Sequence, residues 1–159
     1  MPRRSGRASA GIGHGPPRWS ARIGGVDASI AVQWFANEPG SERAARLIVE
    51  ERPLLAPDLM PVEAANTWWK KVRQHEMDAT DLDQAIVNLL ALGIAFYPSA
   101  ALLSRAARLA LEVDHPVYDC LYLALAINEN CRLVTADQAT VNQLATHFPF
   151  IVPLVSLPA

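Results

Sequence analysis

Four acidic residues in distant segments of the chain have the types and positions that metal-dependent hydrolysis requires. They are Asp27, Glu63, Asp119 and Asp137. Each either directly follows a short apolar run or stands in the first turns of a predicted helix. If the fold brings four carboxylates within a few ångströms, they repel one another, and some stay protonated unless a cation lies between them. The pattern therefore predicts a site for a divalent cation.

The chemistry of carboxylate oxygens favours a hard cation at such a site. Oxygen ligands alone suit Mg²⁺ or Mn²⁺ better than zinc or copper. Mg²⁺ held by a few carboxylates keeps some of its waters, and one such water can attack phosphorus. A second ion would stabilise the leaving oxygen as well. The residues are compatible with a site for one ion or for two. The reaction that this set of residues favours is phosphodiester hydrolysis.

The same residue types also fit a purely structural role. Asp and Glu are favoured at helix N-termini, where they cap the helix and interact with its dipole. Taken singly, each of the four acids fits either role. Four other acids fit the capping role better, namely Asp58, Asp78, Asp81 and Asp114.

The elements that must position these acids alternate along the chain. Apolar runs predict strands at 23–26, 54–56, 94–96, 131–135 and 150–155. Helical patterns lie at 29–36, 41–51, 58–75, 81–93, 99–113, 118–130 and 140–147. Short strands separated by helices predict βαβ units and a parallel sheet covered on both faces. Crevices in open α/β sheets lie at the carboxyl ends of strands, so Asp27 and Asp137 are predicted to face the same crevice.

The helix predicted at 58–75 carries two adjacent tryptophans. Its apolar residues at helical spacing are Leu59, Val62, Ala65, Trp69 and Val72. This stripe predicts that Trp69 faces the core. Because adjacent residues diverge by about 100° around a helix, Trp68 is predicted to face a partner surface. Asp58 is predicted to cap this helix.

Composition and charge describe one globular domain with a distinct first segment. The chain has 159 residues, of which 51% are apolar and 19% charged, which excludes a disordered or fibrous protein. Residues 1–22 contain five arginines, no acid and half of the eight glycines, and we interpret them as a flexible, basic Gly/Pro-rich tail. Residues 23–159 carry a net charge of −7. Such a body is ill suited to general adhesion to nucleic acid and suits binding of a hard cation.

The cysteine content and hydropathy indicate the compartment. Cys120 and Cys131 allow one disulfide at most, which favours a reducing compartment, and we expect buried free thiols and a cytoplasmic protein. No apolar run approaches the ~20 residues of a membrane span, so no membrane partner is predicted.

Four short motifs surround the four acids. They read Val26-Asp27-Ala28-Ser29, Pro61-Val62-Glu63-Ala64-Ala65-Asn66, His115-Pro116-Val117-Tyr118-Asp119-Cys120 and Leu133-Val134-Thr135-Ala136-Asp137. These motifs resemble those of the PIN-domain family, in particular its VapC-like toxin branch. They occur in the family's order, the acids are separated by 36, 56 and 18 residues, and they span nearly all of residues 23–159. Each motif alone has low specificity, whereas all four in order have high specificity.

The resemblance implies a fold, an activity and partners. The implied fold is an α/β, PIN-like, three-layer α/β/α nuclease domain over residues 23–159, with a short-stranded central parallel sheet. The implied activity is an endoribonuclease selective for single-stranded or loop RNA, with an acidic pocket that binds Mg²⁺ or Mn²⁺. The implied partners are a second copy in a homodimer and a VapB-like antitoxin that inserts a peptide into the active-site groove.

The resemblance also assigns roles to residues. Asp27, Glu63, Asp119 and Asp137 would be the metal-binding and catalytic acids. The residues that orient carboxylates or a metal-bound water would be Ser29, Asn66 and Thr135.

Two further side chains stand near the motifs. Lys70 follows Glu63 by seven residues and shares its helix face, so it is a candidate contact to a substrate phosphate, although its position favours a solvated helix flank. His115 precedes Asp119 by four residues, but His115-Pro116 favours a turn, and we assign no general base to it.

Some features depart from the family pattern and keep alternatives open. Gly24 and Gly25 weaken the strand before Asp27, and Ala139 stands where some members carry a further acid. One alternative is therefore a catalytically inactive PIN scaffold that acts through RNA or protein binding. Another is a receiver or a haloacid-dehalogenase-type phosphatase. This second alternative is disfavoured because no second aspartate follows Asp27 two residues later and no lysine follows a late strand.

Overall fold

The computed structural model describes residues 22–49 and 53–158. The strands are β1 (Ile23–Val26), β2 (Leu55–Pro57), β3 (Ala95–Tyr97), β4 (Arg132–Thr135) and β5 (Ile151–Pro153). The helices are α1 (Ala28–Trp34), α2 (Ser41–Val49), α3 (Met60–Arg73), α4 (Ala79–Ala91), α5 (Ser99–Val113), α6 (Val117–Asn128) and α7 (Gln138–Leu144). Of the predicted tail, residues 1–21 lie outside the described residues, as does the predicted end of the second helix at 50–51. Within the described ranges, no helix combines the length and the apolar character needed to cross a membrane.

The five strands form one parallel sheet in the order β3-β2-β1-β4-β5. This confirms the predicted α/β class and the parallel sheet. Right-handed crossovers place α1 to α4 on one face and α5 to α7 on the other, which gives three layers. The strand order reverses between β1 and β4, and the carboxyl ends of strands at such a reversal border a crevice. The sheet thus directs the segments after β1 and β4 to one place.

The two glycines of β1 allow the central strands to approach closely. A Cβ atom on Gly24 would lie 2.9 Å from both Cβ and Sγ of Cys131, and one on Gly25 would lie 3.2 Å from Cδ1 of Leu133. The sequence suggested that these glycines weaken the strand. In the structure β1 is the central strand, and the missing side chains make room for those of β4. Cys120 and Cys131 are buried free thiols, as predicted.

Helix α6 is the most deeply buried helix among the described residues. Every residue from Cys120 to Ala126 is buried. The helix packs on β1, β2 and β4 and against α5. A helix that is apolar all round belongs in the interior, so its first turn, which carries Asp119, has a fixed position.

The buried face of α3 differs from the predicted one. The buried residues are Met60, Ala64 and Trp68, of which Trp68 is 1% exposed, whereas Trp69 is 51% exposed. The ring of Trp68 packs edge-on against Phe35, with centroids 5.7 Å apart. The predicted inward position of Trp69 and outward position of Trp68 were therefore wrong. Helix α3 packs against both α1 and α4, and these contacts select the face that the local pattern left ambiguous.

The predicted capping role of Asp58 at α3 was also wrong. Helix α3 has no side-chain cap. Instead, the Asp58 carboxylate accepts hydrogen bonds from the backbone N–H of Ser99, at 2.9 Å, and from the Ser99 hydroxyl. These bonds lower the pKa of Asp58. Its own N–H donates to the Tyr97 carbonyl oxygen at 2.8 Å. Asp58 thus connects the end of β2 to the start of α5.

Candidate active site

A cleft of about 120 Å³ is lined by all four predicted acids. The other lining residues are Ala28, Ser29, Tyr122, Leu123, Leu133, Thr140 and Leu144. Each acid stands at the N-terminus of a helix. Asp27 and Asp137 are the N-caps of α1 and α7, and Glu63 and Asp119 lie in the first turns of α3 and α6. The positive ends of four helix dipoles therefore offset part of the repulsion between the carboxylates.

Asp27 is both a helix cap and a cleft residue. Its carboxylate accepts hydrogen bonds from the backbone N–H groups of Ser29 and Ile30, at 3.1 and 3.3 Å, and from the Ser29 hydroxyl. Burial, with a smaller contribution from the nearby Asp137 carboxylate, nevertheless raises its pKa to about 6, against the lowering effect of the hydrogen bonds. The capping and the chemical interpretations of this residue are thus compatible.

Two hydroxyl groups hold the loop after β4 against α1. The Ser29 hydroxyl accepts a hydrogen bond from the Ala136 N–H at 2.8 Å, and the Thr135 hydroxyl accepts one from the Asp137 N–H at 3.0 Å. The two hydroxyl oxygens are 3.4 Å apart. Thr135 is 1% exposed, and among the described residues it is the one polar residue that is buried. Ser29 and Thr135 therefore lie where the sequence predicted residues that orient the acids.

Asp137 is exposed at the rim of the cleft. Its carboxylate accepts hydrogen bonds from the Ala139 N–H at 2.9 Å and the Thr140 hydroxyl at 2.8 Å. Both donors belong to the first turn of α7. This cap fixes the start of α7 at Gln138, two residues earlier than the sequence predicted.

Glu63 has a partner that sequence reasoning missed. The Tyr122 hydroxyl donates a hydrogen bond to Oε2 of Glu63 at 3.0 Å. Burial, together with the charges of Asp119 and Asp27, raises the pKa of Glu63 to about 6 against the lowering effect of the bond from Tyr122. Tyr122 follows Asp119 by three residues, so helical spacing alone places it beside that acid. The sequence contains no signal that pairs it with Glu63, which is 59 residues away.

Asp119 contacts a histidine from the turn before its helix. The Nε2 atom of His115 lies 2.9 Å from Oδ2 of Asp119, an ion-pair distance without the alignment of a hydrogen bond. Burial raises the pKa of Asp119, the nearby His115 lowers it, and Asp137 raises it. The turn predicted at His115-Pro116 is present, with Asp114 in the left-handed region at φ 51°. His115 precedes the extended Pro116 at the start of α6, so this contact depends on the turn before the helix and not on helical i,i+4 spacing.

Three predicted site residues do not line the cleft. Thr135 is buried, and its hydroxyl lies 3.4 Å from that of Ser29. Asn66 and Lys70 are exposed on α3 and do not belong to the residues that line the cleft. The lining residues include no lysine or arginine. The structure thus brings together the four acids, Ser29 and Thr135, while the roles of Asn66 and Lys70 stay predictions.

The carboxylates in the cleft are the right ligand type for a hard divalent cation, but they lie too far apart to bind one as they stand. All four acids offer oxygen ligands, and the raised pKa values of Asp27, Glu63 and Asp119 reflect excess negative charge and burial that a cation would relieve. Among residues 22–49 and 53–158, however, no three His, Cys, Asp or Glu side chains form a ready metal-binding group. Binding would therefore draw the carboxylates closer together.

A larger cavity of about 440 Å³ lies between α1, α3 and α4 and contains none of the four acids. Its walls include Phe35 and Trp68, and Lys71 at its edge pairs with Glu38 and Glu76. These ion pairs raise the pKa of Lys71. The candidate active site is therefore the smaller cleft, which the four acids line.

The metal-free protein should become less stable as pH rises from about 4 to about 6. The folded-state pKa values of Asp27 and Glu63, each about 6, exceed their ordinary values of 3.8 and 4.5. The folded state therefore binds more protons than the unfolded state in this window, and the free energy of unfolding falls with pH. For Asp27 the difference corresponds to about 3 kcal/mol. Urea unfolding in EDTA at pH 4.5 and 7.5 measures this change, and Asp27→Asn should reduce it. A pH dependence equal in wild type and variant would contradict the assignment.

Comparison with known proteins places this cleft in a family context. A family model described as the PIN domain matches residues 26–145, which contain all four acids. Ribonuclease VapC3 of Pyrobaculum aerophilum is 34% identical over 131 residues, or 80% of this chain and 95% of that relative. Ribonuclease VapC9 of Mycobacterium tuberculosis is 33% identical over 112 residues, or 70% of this chain and 84% of that relative. The crystal structure of PAE2754 from P. aerophilum has a TM-score of 0.64 at 21% identity, covers 85% of this chain and 92% of that chain, and supports the fold alone.

Proposed function

The chain belongs to the PIN-domain family, and we propose that it is an Mg²⁺- or Mn²⁺-dependent endoribonuclease that hydrolyses single-stranded or loop RNA. The observation that carries the proposal is the convergence of four acids, at four helix N-termini, on one cleft at the reversal of strand order. Both curated relatives described above are named as ribonucleases, which supports RNA as the substrate.

In this proposal the four acids hold the metal ion, and neighbouring hydrogen-bond donors orient the acids. Asp27, Glu63, Asp119 and Asp137 would hold the ion, which when bound polarises a phosphoryl oxygen and activates water. The chain's own hydrogen bonds restrict the acids beforehand. The donors on α1 hold Asp27, those on α7 hold Asp137, and Tyr122 holds Glu63. Such fixed orientation reduces the reorganisation that binding demands.

Metal binding by Asp119 is tested with a matched pair of variants. We expect the full chain to bind Mn²⁺ in titration calorimetry, and Asp119→Asn to bind at least about tenfold more weakly, because one charged oxygen ligand is lost. Asp114→Asn, in the exposed turn before α6, should bind like the wild type. Absence of binding by the folded wild type, or equal affinity in Asp119→Asn, would contradict the metal site.

Cleavage distinguishes the proposed enzyme from an inactive scaffold. Labelled single-stranded, hairpin-loop and duplex RNAs would be incubated with the full chain and Mn²⁺ or Mg²⁺, with EDTA as the control. The proposal expects cuts in the single-stranded and loop RNAs that require the metal. RNA binding without cleavage at any metal concentration would favour the scaffold.

We further propose that the protein is the toxin of a toxin–antitoxin pair, acts in the cytoplasm and forms a homodimer. The names of the VapC relatives support a cognate VapB-like antitoxin. Co-expression with the product of an adjacent small reading frame should yield a complex with suppressed cleavage, and light scattering reports the oligomeric state of each species.

A further inference from the structure

The acidic cleft contains one uncharged hydrogen-bond donor with a long reach, the hydroxyl group of Tyr122. Its side chain is 4% exposed and projects from the buried helix α6 into the cleft. A tyrosine hydroxyl is protonated at neutral pH, and this one lies 3.0 Å from a carboxylate oxygen of Glu63, to which it donates a hydrogen bond.

We propose that Tyr122 is a positioning residue, which holds the Glu63 carboxylate in the orientation that metal binding requires. The inference rests on the proposed function, since it assigns a role toward the same ion. Tyr122 donates to Oε2 of Glu63 at 3.0 Å, which leaves Oε1 without this constraint. No comparison and none of the sequence motifs assigned a role to Tyr122.

The two residues that share this hydrogen bond differ in side-chain mobility. Glu63 has a long side chain and lies near two like charges, Asp27 and Asp119, which favour its rotation out toward solvent. Tyr122 belongs to the run of buried residues in α6 and has few rotamers available there. The bond also joins α3 to α6, helices from opposite faces of the sheet. A rigid donor thus restrains a mobile, repelled acceptor, which is how outer groups orient metal ligands.

The chain offers a matched pair of tyrosines for the test. Tyr122→Phe removes only the hydroxyl and keeps the buried ring. Tyr118→Phe makes the same change one helical turn earlier, at a side chain that is 55% exposed. We expect Tyr122→Phe to bind Mn²⁺ about tenfold more weakly than wild type in titration calorimetry. Tyr118→Phe should match the wild type, and the metal-free melting temperature of Tyr122→Phe should fall by no more than about 4 °C.

A double-mutant cycle separates positioning from a merely structural role. If Tyr122 acts through Glu63, the hydroxyl deletion should have no further effect on Mn²⁺ affinity in a Glu63→Ala background, which lacks the acceptor. Cleavage by Tyr122→Phe should recover toward the wild-type rate at saturating Mn²⁺. Wild-type affinity in Tyr122→Phe, or fully additive losses in the double variant, would overturn the inference and leave the proposed function standing. Absence of Mn²⁺ binding by the wild type would overturn both.

Discussion

Replacement of Asp27 by Asn should abolish RNA cleavage while the fold persists. The change removes a carboxylate charge at the carboxyl end of the central strand but keeps an Oδ1 atom. That atom can still accept the capping bonds from the N–H groups of Ser29 and Ile30. Loss of a neighbour of a metal ligand typically reduces affinity or activity about 10–100-fold, so loss of the ligand itself should reduce the cleavage rate more than about 100-fold. Single-turnover cleavage with Mn²⁺ measures this rate.

The control for Asp27→Asn is an aspartate far from the cleft. Asp83 is exposed on α4, and Asp83→Asn should cleave at the wild-type rate. Asp27→Asn should also be at least as stable as the wild type at pH 7.5 in EDTA, because burial raises the pKa of Asp27 to about 6 and the wild type therefore holds a destabilising charge. Cleavage near the wild-type rate by Asp27→Asn, with added metal verified, would refute the catalytic assignment.

The largest expected effect on stability is at Trp68. The side chain is buried in the angle between α1, α3 and α4 and packs edge-on against Phe35. Truncation to Ala removes a large buried side chain and leaves a cavity in its place. We expect Trp68→Ala to lower the free energy of unfolding by about 3–5 kcal/mol. Urea unfolding monitored by circular dichroism at one fixed pH gives this difference.

The neighbouring tryptophan provides the matched control. Trp69 is half exposed, with the Arg73 guanidinium 5.9 Å from the centre of its ring. That contact contributes about 0.5–1 kcal/mol at an exposed site. Trp69→Ala should therefore destabilise by about 1 kcal/mol. The apolar stripe read from the sequence predicts the reverse order of the two variants, and an observed reverse order would show that the described packing of α3 is wrong.

Much of the fold was predictable because its signals are local. Helix α5 was predicted with its observed bounds, Ser99–Val113, and each of the five strands overlaps its predicted run. Apolar runs of three to six residues between helical stretches identify a parallel sheet whatever its detailed packing. Capping shifted several boundaries. Helix α7 begins early because Asp137 caps it, and Asp58 acts at the distant α5 because the ends of β2 and β3 are adjacent in the sheet.

The candidate site was predictable in part for a similar reason. Asp27 follows β1 directly and Asp137 follows β4 with one residue between, so parallel pairing alone brings them to one edge. Ser29 and Thr135 are next to these acids in the chain and were predicted with them. The contact of Tyr122 with Glu63 depends on how α6 lies relative to α3, and the contact of His115 with Asp119 depends on the turn before α6. The first contact joins residues 59 positions apart, which no local pattern predicts. The second lies at the start of α6, where the proline after His115 predicts a turn and no particular side-chain contact.

The sequence by itself determined which acids this protein carries, the order of its strands and helices along the chain, and the edge of the sheet at which the acids meet. These properties depend on residue types and on the periodicities of single segments. Only the tertiary structure decided which face of α3 is buried, why β1 needs its glycines, and which donor holds which carboxylate. Rotation of a helix by the ~100° between adjacent residues leaves its local pattern almost equally satisfied. Packing against other elements therefore selects the orientation, and no single segment contains that information.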